Sequence, residues 1–199
     1  MQNKIKIGLI GSGHLGKHHI KHLSKHVDIN FVGFFDKNKE LAKQVSNEFS
    51  VKSFENFHEL VDGVDAVHIV TPTNTHHEIA KECLNKKKDV FIEKPITKNA
   101  NEACEIIDIA EKNNCIIQVG HIERFNPTIN RLKTVFARPH YIEIERLAPF
   151  QLRGTEVPVV LDLMVHDIDL ILSIVDSNIV DVRASGSSMM SDTVDLAHA

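Results

Sequence analysis

Hydrophobic residues in the first 120 positions fall into short runs separated by longer amphipathic stretches. Lys4 to Ile10 is the first apolar run, Ile29 to Phe35 the second, and Val51 to Ser53 a short third. Asp65 to Val70, Val90 to Ile92 and Cys115 to Val119 follow as the fourth, fifth and sixth. Between them, helical patterns run behind Gly16, from Asn74 to Lys86, and from about Asn99 to Lys112. Strands that alternate with helices predict an α/β fold with a doubly wound parallel sheet. Ligands bind such sheets at the carboxyl ends of the strands, where the strand order reverses. Gly11, Asp36, Thr71, Glu93 with Lys94, and Gly120 with His121 all stand at such ends.

Past Gly120 the pattern changes. His121 to Pro127 reads as a junction, followed by a helix to about Phe136. Tyr141 to Leu147 alternates charged and apolar residues and predicts a half-exposed antiparallel strand. Val159 to Val175 predicts an apolar helix carrying Asp162, His166, Asp167 and Asp169, and Ile179 to Gly186 another strand.

The first turn carries the sharpest signal. Strand one runs directly into Gly11-x-Gly13-x-x-Gly16 with a polar helix behind it, the setting of a dinucleotide-binding fingerprint. Gly11 permits the tight turn, Gly13 admits a pyrophosphate close to the backbone, and Gly16 lets helix and strand pack. The helix N-terminus offers free N–H groups to phosphate. Asp36 ends the second strand, where a carboxylate can accept hydrogen bonds from a ribose diol; the bland alternative is that it merely opens the next turn. Its charge repels a 2′-phosphate, so NAD is expected over NADP, although Lys37 and Lys39 follow at once. His14 and Leu15 inside the turn, Thr71, Pro72, Asn74 and His76 after strand four, and Glu93 and Lys94 after strand five complete the expected cofactor-binding set. His76 and His77 line the cleft or start the next helix. The expected organisation is a Rossmann domain over residues 1–120 and a partial α+β domain over 121–199.

Composition narrows the class. The 199 residues are 42% hydrophobic and 25% charged, with a net charge of −4, so one full domain fits with a remainder. A weakly acidic chain has no electrostatic footprint for nucleic acid, and Lys86-Lys87-Lys88 reads as a solvated helix end. Cys83, Cys104 and Cys115 are odd in number and widely spaced, which suits a reducing compartment and makes the cytoplasm the expected location. Neither a signal peptide nor an apolar run of membrane-spanning length is expected. Thirteen histidines raise the question of a metal. His14, His18, His22 and His26 recur every four residues with His19 beside them, yet no carboxylate or cysteine joins them before Asp28. A solvated helix face and no metal are expected.

These residues resemble the glucose-fructose oxidoreductase, inositol dehydrogenase and rhizopine-catabolism (Gfo/Idh/MocA) oxidoreductase family. The resemblance covers the whole chain through the glycine fingerprint, Thr71-Pro72-Thr73-Asn74, Glu93-Lys94-Pro95 and Asp162-x-x-x-His166. Gly120 to Pro127 and Leu161 to Leu170 are most similar to the branch of that family that oxidises the 3-hydroxyl of UDP-N-acetylglucosamine. The resemblance implies an NAD-dependent sugar dehydrogenase with a Lys94, Asp162 and His166 catalytic group.

That chemistry has its own logic. Oxidising a secondary alcohol needs a base within reach of the hydroxyl proton, and an imidazole such as His166 can be neutral near pH 7 and take it. Lys94 can donate to the same oxygen and stabilise developing negative charge, with Pro95 fixing its turn. Asp162, four residues before His166, can orient the ring or bind a sugar hydroxyl. The bland readings are a solvated lysine, a turn-capping Glu93 and a satisfied core histidine. Arg124 is a candidate for a substrate diphosphate, with Asn126 beside it in the expected substrate-binding set. The alternative for Arg124 is an ion pair with Glu123 or Glu145. Arg153 carries the same ambiguity.

The family's substrate domain is about as large as its cofactor domain, so a chain stopping at Asp192 to Ala199 is expected to be a fragment or truncated product. If that domain is complete, its sheet is expected to make a homo-oligomer; a bare sheet edge needs a partner. Two alternatives follow: a catalytically inactive NAD-binding module, and an inositol or polyol dehydrogenase.

Overall fold

The computed structural model describes residues 4–135, 139–149 and 157–199. They form two compact units, Met1–Gly120 and His121–Ala199. In the first, β1 (Ile5–Ile10), β2 (Ile29–Phe35), β3 (Ser53–Phe54), β4 (Ala66–Ile69), β5 (Asp89–Ile92) and β6 (Ile117–Val119) make one sheet. Its order is β3-β2-β1-β4-β5-β6, with every pairing parallel. The order reverses between β1 and β4, which is the switch point of a doubly wound sheet.

Alternate side chains of the strands feed two cores. Leu9 and Phe34 pack with Ile20 of α1 (His14–Leu23) and with Ala42 and Val45 of α2 (Lys39–Phe49). Ile10, Val67, Ile69 and Ile92 pack with α3 (Phe57–Asp62), α4 (His76–Asn85) and α5 (Ala100–Asn113) through Leu60, Leu84 and Ile106. The helices start where an asparagine can cap them. Asn38, Asn56 and Asn99 accept the amides of Leu41, His58 and Glu102 at the heads of α2, α3 and α5.

Several boundaries move for local reasons. Val51 donates its amide to Ser46 to close α2, and Lys52 accepts from Phe34, so the third strand forms at Ser53–Phe54 rather than from Val51. Cys115 likewise closes α5 through the Ala110 carbonyl, which delays the sixth strand to Ile117. Residues Thr73–Thr75 form a 3-10 turn, so the helix expected from Asn74 begins at His76.

The second unit holds a 3-10 turn (Ile122–Phe125), α6 (Pro127–Val135), a π-helical turn (Val160–Met164) leading into α7 (Val165–Ile174), and an antiparallel pair, β7 (Ser185–Ser187) and β8 (Leu196–His198). Phe136, the expected end of α6, lies outside the described residues. Two expected strands are corrected here. Tyr141 to Leu147 has no ladder partner among the described residues and lies mostly exposed; alternation alone does not supply a neighbour to pair with. Of Ile179 to Gly186, only Ser185 and Gly186 join a ladder, because β8 reaches no further. The expected single helix from Val159 opens instead with a π-helical turn.

Candidate functional site

The carboxyl end of the first unit's sheet gathers the chemistry. Gly11 adopts φ +94°, and a Cβ there would strike the Val70 carbonyl oxygen; a Cβ on Gly16 would strike the Gly11 carbonyl. These two glycines are demanded by the chain's own packing. Gly13 is not, since no described atom lies within 4 Å of a Cβ built on it. That open space lies at the head of α1, where Gly13 provides no side-chain cap and the first turn holds no acidic residue. An uncapped helix start with room in front of it fits the pyrophosphate of a dinucleotide. His14 and Leu15 open α1 and are exposed.

Asp36 is tied to this loop. Its Oδ2 accepts from the Ser12 amide at 2.7 Å and the Ser12 hydroxyl at 2.9 Å, while Oδ1 accepts from the Asn38 amide at 2.8 Å. The carboxylate therefore both opens the next turn and stands fixed beside the glycine loop, aimed by three donors. A groove of about 540 Å³ opens next to Phe35, with Ile10, Phe57 and Ile79 in its lining.

After β4, the Thr75 hydroxyl donates to the Pro72 carbonyl at 2.7 Å and lies 2.8 Å from the Thr71 hydroxyl. Pro72 and Asn74 are exposed on this turn. His76 is not: it is 1% exposed, with Nε2 2.8 Å from the Thr71 carbonyl and Nδ1 2.9 Å from the Pro95 carbonyl. Expected to line the cofactor cleft or to start the next helix, it opens α4 and, turned inward, straps the β4 turn to the β5 turn.

Glu93, just beyond β5, is buried. Its Oε1 lies 2.9 Å from His19 Nε2, and its Oε2 accepts the Lys94 amide at 3.3 Å. Burial alone would raise its carboxyl, but the hydrogen bond and charge of His19, with the Lys94 amide and ammonium, outweigh it and hold the group below its ordinary range. Gly120 leaves the space this carboxylate needs, since a Cβ there would come within 3.1 Å of it. Lys94 follows at the same strand end, half-buried.

In the second unit, Asp162 lies in the π-helical turn and His166 in the first turn of α7, both half-buried. Single π-helical turns recur at functional sites. Arg124 forks onto Asp169, Nε to Oδ2 at 2.8 Å and Nη2 to Oδ1 at 2.5 Å, rather than onto Glu123 or Glu145. His121 Nδ1 stands 3.7 Å from the same carboxylate. Burial would raise the Asp169 carboxyl, yet Arg124 and the nearby histidines pull it below the usual carboxylate range. Asn126 Oδ1 accepts from the Thr128 amide at 3.0 Å, capping α6. Arg153 lies outside the described residues.

Sequence reasoning missed His19, His68 and Arg146. His19 contacts both Glu93 and His68; Arg146 grips Asp167 with its Nε and Nη2 at 2.7 to 3.0 Å. A polar residue at the centre of the apolar fourth strand was the available signal for His68. Among the described residues no three His, Cys, Asp or Glu side chains are grouped to hold a metal ion, and no helix is long and apolar enough to cross a membrane. His14, His18, His22 and His26 are exposed.

The reversed sheet, the uncapped glycine loop and the fixed Asp36 define a dinucleotide-binding Rossmann protein. Residues 5–121 match the Gfo/Idh/MocA oxidoreductase family, NAD-binding Rossmann fold, and the chain belongs to that family. It is 40% identical over 197 residues to UDP-N-acetylglucosamine 3-dehydrogenase of Acidithiobacillus ferrooxidans, covering 98% of this chain and 62% of that protein. The solved structure of that dehydrogenase superposes with a TM-score of 0.89 at 38% identity, covering 98% of this chain and 64% of that one. Myo-inositol 2-dehydrogenase of Thermotoga maritima is 29% identical over 202 residues, covering 96% of this chain and 60% of that protein. The chain thus spans about three fifths of the length of these relatives.

Proposed function

We propose that this chain takes part in the oxidation of a secondary hydroxyl of a sugar, the 3-hydroxyl of a UDP-N-acetylhexosamine, with NAD as the acceptor. The observation that carries the reading is Lys94 at the end of β5, on the same rim as the open Gly13 and the anchored Asp36. The match to a UDP-N-acetylglucosamine 3-dehydrogenase supports the substrate.

Gly11, Gly13, His14, Leu15 and Gly16 hold the pyrophosphate, and Asp36 accepts from the adenosine ribose and turns away a 2′-phosphate. The groove beside Phe35 suits a flat base. Thr71, Pro72 and Asn74 border the cofactor, with His76 fixing their turn from behind. NAD, when bound, accepts the hydride from the carbinol carbon. Lys94 donates a hydrogen bond to the reacting oxygen and stabilises its growing negative charge. His166 takes the hydroxyl proton and Asp162 orients the imidazole or holds a sugar hydroxyl. Arg124, fixed by Asp169, has further N–H groups for the diphosphate.

We place the chain in the cytoplasm, in keeping with three free cysteines. Where the substrate domain is complete, its sheet makes a homo-oligomer, since a bare sheet edge calls for a partner.

The test is Lys94→Ala. NADH formation should fall by roughly 10²- to 10³-fold, the usual worth of one donor to a developing oxyanion, with NAD affinity nearly unchanged. Full activity in this variant would overturn the mechanism.

A further inference from the structure

Side chains from three elements meet beneath the end of β5. His19 reaches down from α1 and sets Nε2 2.9 Å from Glu93 Oε1, while its Nδ1 lies 3.4 Å from Nδ1 of His68 in β4. His68 stacks on its cross-strand neighbour Phe91, with ring centroids 4.6 Å apart and planes at 18°. The side chains of His19 and Glu93 are 19% and 12% exposed, so their contact is shielded from water. The second carboxylate oxygen faces the Lys94 amide, and Gly120 closes in behind.

We propose that His19 is a positioning residue: by donating to Glu93 it locks the carboxylate that fixes the Lys94 backbone, holding the helix of the glycine loop and the lysine turn in one register. This rests on the reading of Lys94 as the catalytic lysine. The physical case lies in the reach of a lysine. Four methylenes carry its ammonium, so the head group is placed no better than the backbone beneath it. An ionised, largely buried Glu93 demands N–H donors, and His19 Nε2 supplies one from the helix that begins at Gly13. His68, neutral at pH 7 because burial depresses it, backs His19 without adding charge.

The test uses the full chain with His19→Ala, His19→Gln and Glu93→Gln. Glutamine retains an amide donor for Glu93; alanine does not. In the ligand-free protein, NMR-detected hydrogen exchange at the Lys94 amide should quicken about tenfold in His19→Ala and return in His19→Gln, as expected for loss of one charge-assisted hydrogen bond. In turnover, kcat should fall about tenfold in His19→Ala with KM for NAD within about twofold, and recover in His19→Gln. A merely structural histidine would lower the unfolding midpoint and leave the Lys94 amide as it was. If His19→Ala fails to fold, His19→Gln against Glu93→Gln carries the same comparison, with faster exchange expected only in the latter. Unchanged exchange in His19→Ala, or a His19→Gln as impaired as alanine, overturns the proposal. A wild-type chain that turns over nothing yet shows this exchange pattern defeats the dehydrogenase reading alone. An active chain whose Lys94 amide ignores His19 defeats the positioning role alone.

Discussion

The Asp36 carboxylate receives three donors, two from Ser12 and one from the Asn38 amide, and so arrives at the cofactor site already oriented. Asp36→Ala removes both the ribose acceptor and the strap on the glycine loop. NAD affinity should drop about tenfold or more, the worth of one or two hydrogen bonds to a charged group, while NADP loses its repulsion and discrimination narrows. Calorimetric titration with each nucleotide checks this; an unchanged NAD affinity contradicts it. Residues whose role is steric, such as Gly11 and Gly16, were legible in the sequence because their spacing alone states the constraint. His76 was not. Nothing in a sequence separates a histidine that opens a helix on the surface from one turned inward onto two carbonyls, as this one is. The partner of Arg124 was equally hidden, because Asp169 follows it by 45 residues and meets it only through the tertiary fold.

The elements read most closely were inner strands with neighbours on both sides. β1, β4 and β5 are apolar runs that a parallel sheet needs, and turn chemistry moved their ends by a residue or two. Tyr141 to Leu147 carried an equally good alternation and made no strand, since a ladder belongs to two segments and only one was in view. β4 also contains a residue its apolar pattern did not favour. Burial first, and then the charge of His19, lower the His68 pKa from the ordinary 6.5 to about 4, against the opposing pull of Glu93. The unfolded chain therefore binds a proton between pH 6.5 and 4 that the folded chain refuses, so stability falls as pH falls through that window. The loss should reach about 3 kcal/mol by pH 4, from the difference between the two pKa values. Glu93, held below its ordinary range, adds a loss in the same direction at still lower pH. Urea denaturation across pH 4 to 7 should show this slope, and His68→Gln should flatten it. An identical slope in the variant would assign the acid loss elsewhere.

At the scale of the whole molecule, the chain is two compact units whose candidate residues divide between them: the dinucleotide rim and Lys94 in the first, Asp162 and His166 in the second. The first unit's sheet was legible nearly throughout because a βαβ repeat states its topology in its own periodicity, while α2 and α3 were not read from the pattern. The second was legible at α6 and α7, since its remaining segments depend on pairings that local patterns do not encode. The central claim is that these residues oxidise a nucleotide sugar, and the most direct measurement is NADH formation with UDP-N-acetylglucosamine, myo-inositol and glucose offered separately, alongside calorimetric NAD binding. Turnover with the nucleotide sugar and with neither of the others is the predicted result. NAD binding without turnover of any of the three would contradict the account and leave a nucleotide-binding module in its place.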